Sequence, residues 1–121
     1  MPRVAPKLTV KPWGSELLFA QQSGHLGKLL RIREGEALSR QLHNHKAETF
    51  LVIKGSLLLE LGELGDDKHE LAPGDCWHVA PGTVHRLVAR TDVECIEVAA
   101  GTDDDVVRLE DRYGRTGTTV P

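Results

Sequence analysis

Short apolar stretches recur about every ten residues in this chain, and glycine punctuates them: Gly14, Gly24, Gly35, Gly55, Gly65, Gly74, Gly82 and Gly101. Regular short strands with turn signals between them fit a sandwich or barrel rather than a βαβ array. Strands are expected near Ser15 to Ala20, Leu26 to Arg33, Leu38 to His43, Glu48 to Lys54, Ser56 to Leu61, Lys68 to Leu71, Cys76 to Val79, Thr83 to Ala89 and Val93 to Val98. The sharpest hairpin signal spans Thr49 to Leu61, where two apolar runs flank Lys54, Gly55 and Ser56. Both runs are apolar on both faces, so each face must be covered.

One segment reads as helical. Asp103 to Arg112 carries acids at its start and Arg108 and Arg112 toward its end, the arrangement a helix dipole favours. It is expected to close the domain as a short helical or irregular element, with Asp103, Asp104 and Asp105 as a solvated cap.

With 121 residues, the chain suits one compact core that hides roughly two thirds of the unfolded surface. Its 15 basic and 18 acidic residues give a net charge of -3 with no basic block, which argues against nucleic acid as a partner. Neither a secretory h-region nor a run of about 18 apolar residues occurs, so the expectation is a soluble cytoplasmic protein with no membrane segment. Cys76 and Cys95 form no CxxC pair and read as buried free thiols in neighbouring strands.

Chemistry concentrates between Gln41 and Glu48. On an extended strand Gln41, His43 and His45 share one face by the period of two. Three polar groups on the inner face of a barrel destabilise it unless something satisfies them. Glu48 follows at the start of the next strand, and His85 arrives after the tight turn at Pro81 and Gly82. Imidazole and carboxylate converging in this way suit a divalent cation, with Zn, Mn, Fe, Ni and Co all compatible.

The block from Gln41 to Glu48 resembles the first cupin motif, and the block from Gly74 to His85 resembles the second. The chain thus resembles a single-domain, all-β cupin, a double-stranded β-helix or jelly-roll barrel. The resemblance implies metal ligands at His43, His45, Glu48 and His85. More narrowly, Lys11-Pro12-Trp13-Gly14-Ser15, the run Leu38 to Glu48, Pro81 to Leu87, and Asp104 to Arg115 resemble the C-terminal cupin of type II mannose-6-phosphate isomerases and its free-standing relatives. A barrel over 11–115, an extended arm over 1–10 and a tail over 116–121 follow from that match.

What the resemblance implies is a metal-dependent aldose-ketose isomerase acting on a sugar phosphate, of the mannose 6-phosphate to fructose 6-phosphate type. A metal-holding cupin that binds a carbohydrate without turnover, in polysaccharide metabolism, is the alternative of a different class. An Fe(II) dioxygenase is a weaker third. His78 is the candidate general base if it faces the cavity. Gln41 is expected to orient an imidazole from behind. Arg40, Lys46 and Arg86 are candidate contacts for a substrate phosphate, although Arg86, next to His85, reads equally as an outward ion pair. His25 and His69 are taken as surface residues, and Trp13 and Trp77 as core or interface aromatics. The apolar sheet faces predict a homodimer.

Overall fold

The computed structural model describes residues 3–100, 106–115 and 117–119. Among them every regular element is a strand: β1 Lys7–Lys11, β2 Gly14–Ala20, β3 His25–Ile32, β4 Arg40–His43, β5 Glu48–Lys54, β6 Leu57–Leu61, β7 Asp67–Leu71, β8 Cys76–Val79, β9 His85–Ala89, β10 Val93–Ala100, β11 Val106–Glu110 and β12 Gly117–Thr119. They form two six-stranded antiparallel sheets, ordered β1-β2-β3-β10-β5-β8 and β12-β11-β4-β9-β6-β7. This is the double-stranded β-helix expected from the sequence. No helix of the described residues is long and apolar enough to cross a membrane.

The core lies between the sheets, because alternation puts one side of every strand inward. Trp13, Leu30, Ile32, Phe50 and Val52 come from the first sheet and its β1–β2 turn, and meet Leu57, Leu59, Leu71, Leu87 and Ala89 from the second. Tyr113 closes the packing from the C-terminal side, its hydroxyl donating to the Glu36 carboxylate.

Three expectations are corrected by the strand order. The hairpin over Thr49 to Leu61 does not exist: β5 pairs with β10 and β8, while β6 pairs with β7 and β9. Each of the two strands supplies apolar groups to the same core from opposite sheets, so the turn between them passes from one sheet to the other. Gly55 makes that corner at φ 88°, and a Cβ there would lie 2.1 Å from the Asp92 carbonyl oxygen. Left-handed backbone and a backbone clash together predict that Gly55→Ala destabilises the fold by about 2 kcal/mol or more, read as a lower urea midpoint.

The expected C-terminal helix is a strand instead. Val106–Glu110 pairs with β4, placing Val106 opposite His43 and Arg108 opposite Gln41. Alternation of the β-branched pair Val106 and Val107 with a partner strand available outweighs the charge pattern that imitates a helix dipole. The acids Asp103 to Asp105 lie outside the described residues. At the other end, the segment expected as an arm is paired from Lys7 onward, since β1 runs along β2.

The cysteines meet expectation in part. Cys95 is buried on β10, and burial followed by the Glu97 charge pushes its thiol up to about 12. Cys76 is exposed on the edge strand β8, and β5 separates the two. Cys76 ends an outward-facing row that crosses the whole first sheet in register, through Leu8, Leu17, Leu29, Ile96 and Leu51.

Candidate metal centre

Three strands deliver the centre. β4 ends at His43, β5 begins at Glu48, and β9 begins at His85; all three side chains are buried. Their donor atoms lie within 4.8 Å of one another. Glu48 Oε1 is 3.3 Å from His43 Nε2 and 3.0 Å from His85 Nε2. Ligand bonds of about 2.0–2.2 Å would set neighbouring donors about 3.0–3.5 Å apart, so these separations fit a shared cation.

The hydrogen-bonding around His85 fits as well. His85 Nδ1 donates to the Thr83 carbonyl at 2.9 Å, which leaves Nε2 with a lone pair toward Glu48. Ser39 Oγ donates to Gln41 Oε1 at 2.6 Å, so the Gln41 amide turns its NH2 to His43 Nε2 at 3.2 Å. Glu48 Oε1 itself is buried without a hydrogen-bond partner. An orphaned buried carboxylate oxygen facing two imidazole nitrogens is costly unless a proton or a cation lies between them. Burial would raise the Glu48 carboxyl, yet the two imidazoles, with the Lys46 charge, outweigh it and hold the group well below the usual carboxylate range.

Not every expected residue arrives. β4 stops at His43 and the chain bends over residues 44–45, so the period of two that would put His45 beside His43 ends there. His45 is exposed and outside the donor group, and the chain turns inward at Lys46 instead. Gln41 meets His43 on the nitrogen that faces Glu48, not on the far nitrogen where an orienting partner would act.

His78 is corrected outright as a cavity base. In the β5–β8 register Glu48 stands opposite Val79 and Thr49 opposite His78, so His78 shares the outer face with Thr49 and bonds its hydroxyl at 3.0 Å. Arg40 and Arg86 likewise lie on the outer face of the second sheet. Arg40 pairs with Glu60 at 2.9 Å and Glu110 at 3.4 Å, while Arg86 reaches Glu110 at 3.2 Å and the Leu38 carbonyl at 2.9 Å. They are structural ion pairs rather than contacts at the mouth. His25 is exposed as expected; His69 is half-buried, its ring 4.4 Å from that of Trp77.

Lys46 alone of the three cations reaches the centre. Its Nζ lies 3.5 Å from Glu48 Oε2 and 3.2 Å from Glu97 Oε2. Beside His43 opens a cavity of about 50 Å³ whose polar lining includes Lys11, Glu16, Lys28, Glu97, Arg108 and Arg115. Sequence reasoning missed these six. Two left a signal: Lys28 alternates with Leu26, Leu30 and Ile32, and Glu97 with Val93, Cys95 and Ala99, so each is a charge at an inward position of an apolar strand.

Comparison with known proteins follows the same lines. The family described as "Mannose-6-phosphate isomerase C-terminal" matches residues 5–111. The chain belongs to this family. The alginate biosynthesis protein AlgA of Pseudomonas aeruginosa is 34% identical over 112 residues, covering 88% of this chain and 22% of AlgA. The chain therefore spans less than a quarter of the length of the curated relatives it matches. Among solved structures, the capsular polysaccharide assembling protein CapF from Staphylococcus aureus superposes with a TM-score of 0.77 at 19% identity, covering 89% of this chain and 32% of CapF. A sugar phosphate isomerase from a cupin superfamily, from Silicibacter pomeroyi, gives 0.68 at 21% identity, covering 88% and 83%. These likenesses establish the cupin fold. The family member described here is a cupin domain related to parts of polysaccharide-biosynthesis proteins.

Proposed function

We propose that this cupin holds one divalent metal on His43, Glu48 and His85 and isomerises a phosphorylated aldose to its ketose, of the mannose 6-phosphate to fructose 6-phosphate type. The observation that carries the reading is the junction at His43 of a buried donor triad and a cavity walled by cations. Family membership supports the substrate class. Such a metal ion polarises a carbonyl or adjacent hydroxyl oxygen and lowers the cost of negative charge there. Imidazole and carboxylate donors leave the choice among Zn, Mn, Fe, Ni and Co open.

The chain's own residues supply the rest. Isomerisation needs a base that takes a proton from one carbon and returns it to the next. With His78 on the outer face, Glu97 is the group we assign: it lines the cavity, is 6% exposed, and is held by Lys46 beside Glu48. Thr83 fixes the His85 tautomer by accepting from Nδ1. Glu97→Gln is expected to lower kcat by about 10²–10⁴-fold with metal content unchanged. Steady-state kinetics and elemental analysis of the same preparation check both.

The direct test is turnover of mannose 6-phosphate by metal-loaded protein against His85→Ala. Equal rates would end the isomerase reading. Saturable sugar-phosphate binding without turnover would assign the non-catalytic alternative, and oxygen uptake only with Fe(II) would assign the dioxygenase. A cytoplasmic location is part of this proposal. A second copy of the chain is the proposed cover for the outward row from Leu8 to Cys76, whose neighbours Val98 and Ile53 are about half exposed. Light scattering is expected to give twice the chain mass; a monomer would contradict it.

A further inference from the structure

We propose that Gln41 is a fourth ligand of the metal through its amide oxygen, at the place in the centre that His45 leaves. This rests on the metal reading of the triad and needs nothing of the isomerase. Gln41 lies on the same face of β4 as His43, two residues before it. Across the β4–β9 ladder it stands directly opposite His85, a placement that sets Cβ atoms about 4.5–5.5 Å apart. Its amide nitrogen is 3.2 Å from His43 Nε2, the nitrogen that Glu48 Oε1 faces at 3.3 Å. The amide thus already sits where the three donors converge.

As it stands, the amide presents its NH2. Ser39 Oγ donates to Oε1 at 2.6 Å, and the NH2 donates to the single lone pair of His43 Nε2. That lone pair is the one His43 gives to a cation, so this hydrogen bond and ligation exclude one another. An NH2 left facing the cation would also repel it. A half-turn about χ3 removes both conflicts. That torsion is broad and two-fold, and the inverted amide keeps its outline. The NH2 then donates to Ser39 Oγ, a hydroxyl that accepts as readily as it donates, while Oε1 turns toward the ion. Ser39 is buried beside Gln41, and both line the cavity next to His43, which leaves room for the swing.

The backbone explains why Gln41 takes the place of His45. Strand alternation holds from Gln41 to His43 and ends there, so the period of two runs backward to Gln41 rather than forward to His45. The donor set becomes two imidazoles, a carboxylate and a neutral amide oxygen. Compared with a third imidazole, that oxygen favours Mn over Zn.

The test is Co(II) binding to the full chain after dialysis against a chelator, with Kd from chelator competition and the visible absorption of the bound ion. Wild type is compared with Gln41→Met, Gln41→Asn and Gln41→Glu, and circular dichroism checks the fold of each. Gln41→Met fills similar space without a hard donor, and Gln41→Asn withdraws the amide by one methylene. Each should bind Co(II) at least tenfold more weakly and shift its visible bands; either suffices should the other not fold. Gln41→Glu, an oxygen donor of the same length, should keep the wild-type affinity or exceed it. Unchanged binding and bands in a folded Gln41→Met or Gln41→Asn overturn the ligand and leave the triad standing. Tighter binding overturns it too, and would mean that the amide only caps His43. A wild type that takes up no Co(II) overturns the metal centre and the ligand together.

Discussion

Glu48→Gln is expected to empty the metal centre and to lower mannose 6-phosphate turnover by about 10³-fold or more. The amide keeps the shape of the side chain but removes the anionic donor that both imidazoles face at 3.0 and 3.3 Å. Loss of a mere supporting partner costs about 10–100-fold in metal affinity or activity, and a ligand oxygen should cost more. Elemental analysis after dialysis, alongside initial rates, reads both effects. A variant that keeps one equivalent of metal and its rate would refute the centre.

The same substitution has a signature in acid. Because the folded state holds the Glu48 carboxyl well below its ordinary 4.5, ionised Glu48 contributes stability above that pH. That contribution is lost as pH falls from about 4.5 through the folded value. Glu48→Gln should therefore flatten this part of the acid limb in a urea-midpoint series.

Lys46→Met is expected to destabilise the metal-free protein by about 3–5 kcal/mol at neutral pH, the usual cost of breaking a buried pair. Lys46 is 3% exposed and lies between Glu48 and Glu97, which are equally enclosed. Without its ammonium, Glu48 and Glu97 lose a cation they share. The penalty should shrink as pH is lowered and when metal is added. Urea unfolding at pH 7 and pH 5, with and without divalent cation, measures this; a loss that ignores both conditions would mean Lys46 acts through packing alone.

Most of the barrel was legible in the sequence because its strands are short, apolar and bounded by glycine. Glu48–Lys54 and Cys76–Val79 run between the residues expected. What failed was pairing. Adjacent apolar runs such as β5 and β6 look like a hairpin, and nothing local distinguishes a turn within a sheet from a turn between sheets. β11 was misread because its charges mimic a helix dipole, while the partner that makes it a strand lies more than sixty residues earlier in the chain.

The centre was legible in part. His43, Glu48 and His85 meet as their motifs imply, but His45 depended on alternation continuing past the end of β4. Arg40 and Arg86 were attractive as cations near ligands, yet parity sends each to the opposite side of its strand. The cavity wall left the weakest trace. Lys11, Lys28, Arg108 and Arg115 come singly from separate segments, so no spacing joins them.

That wall is drawn from strands far apart in the sequence, Lys11 on β1 and Arg108 on β11. A ribosome exposes the donor triad well before Arg108 and Arg115. During synthesis the three donors would thus emerge before β11 can pair with β4 and complete the cavity beside His43.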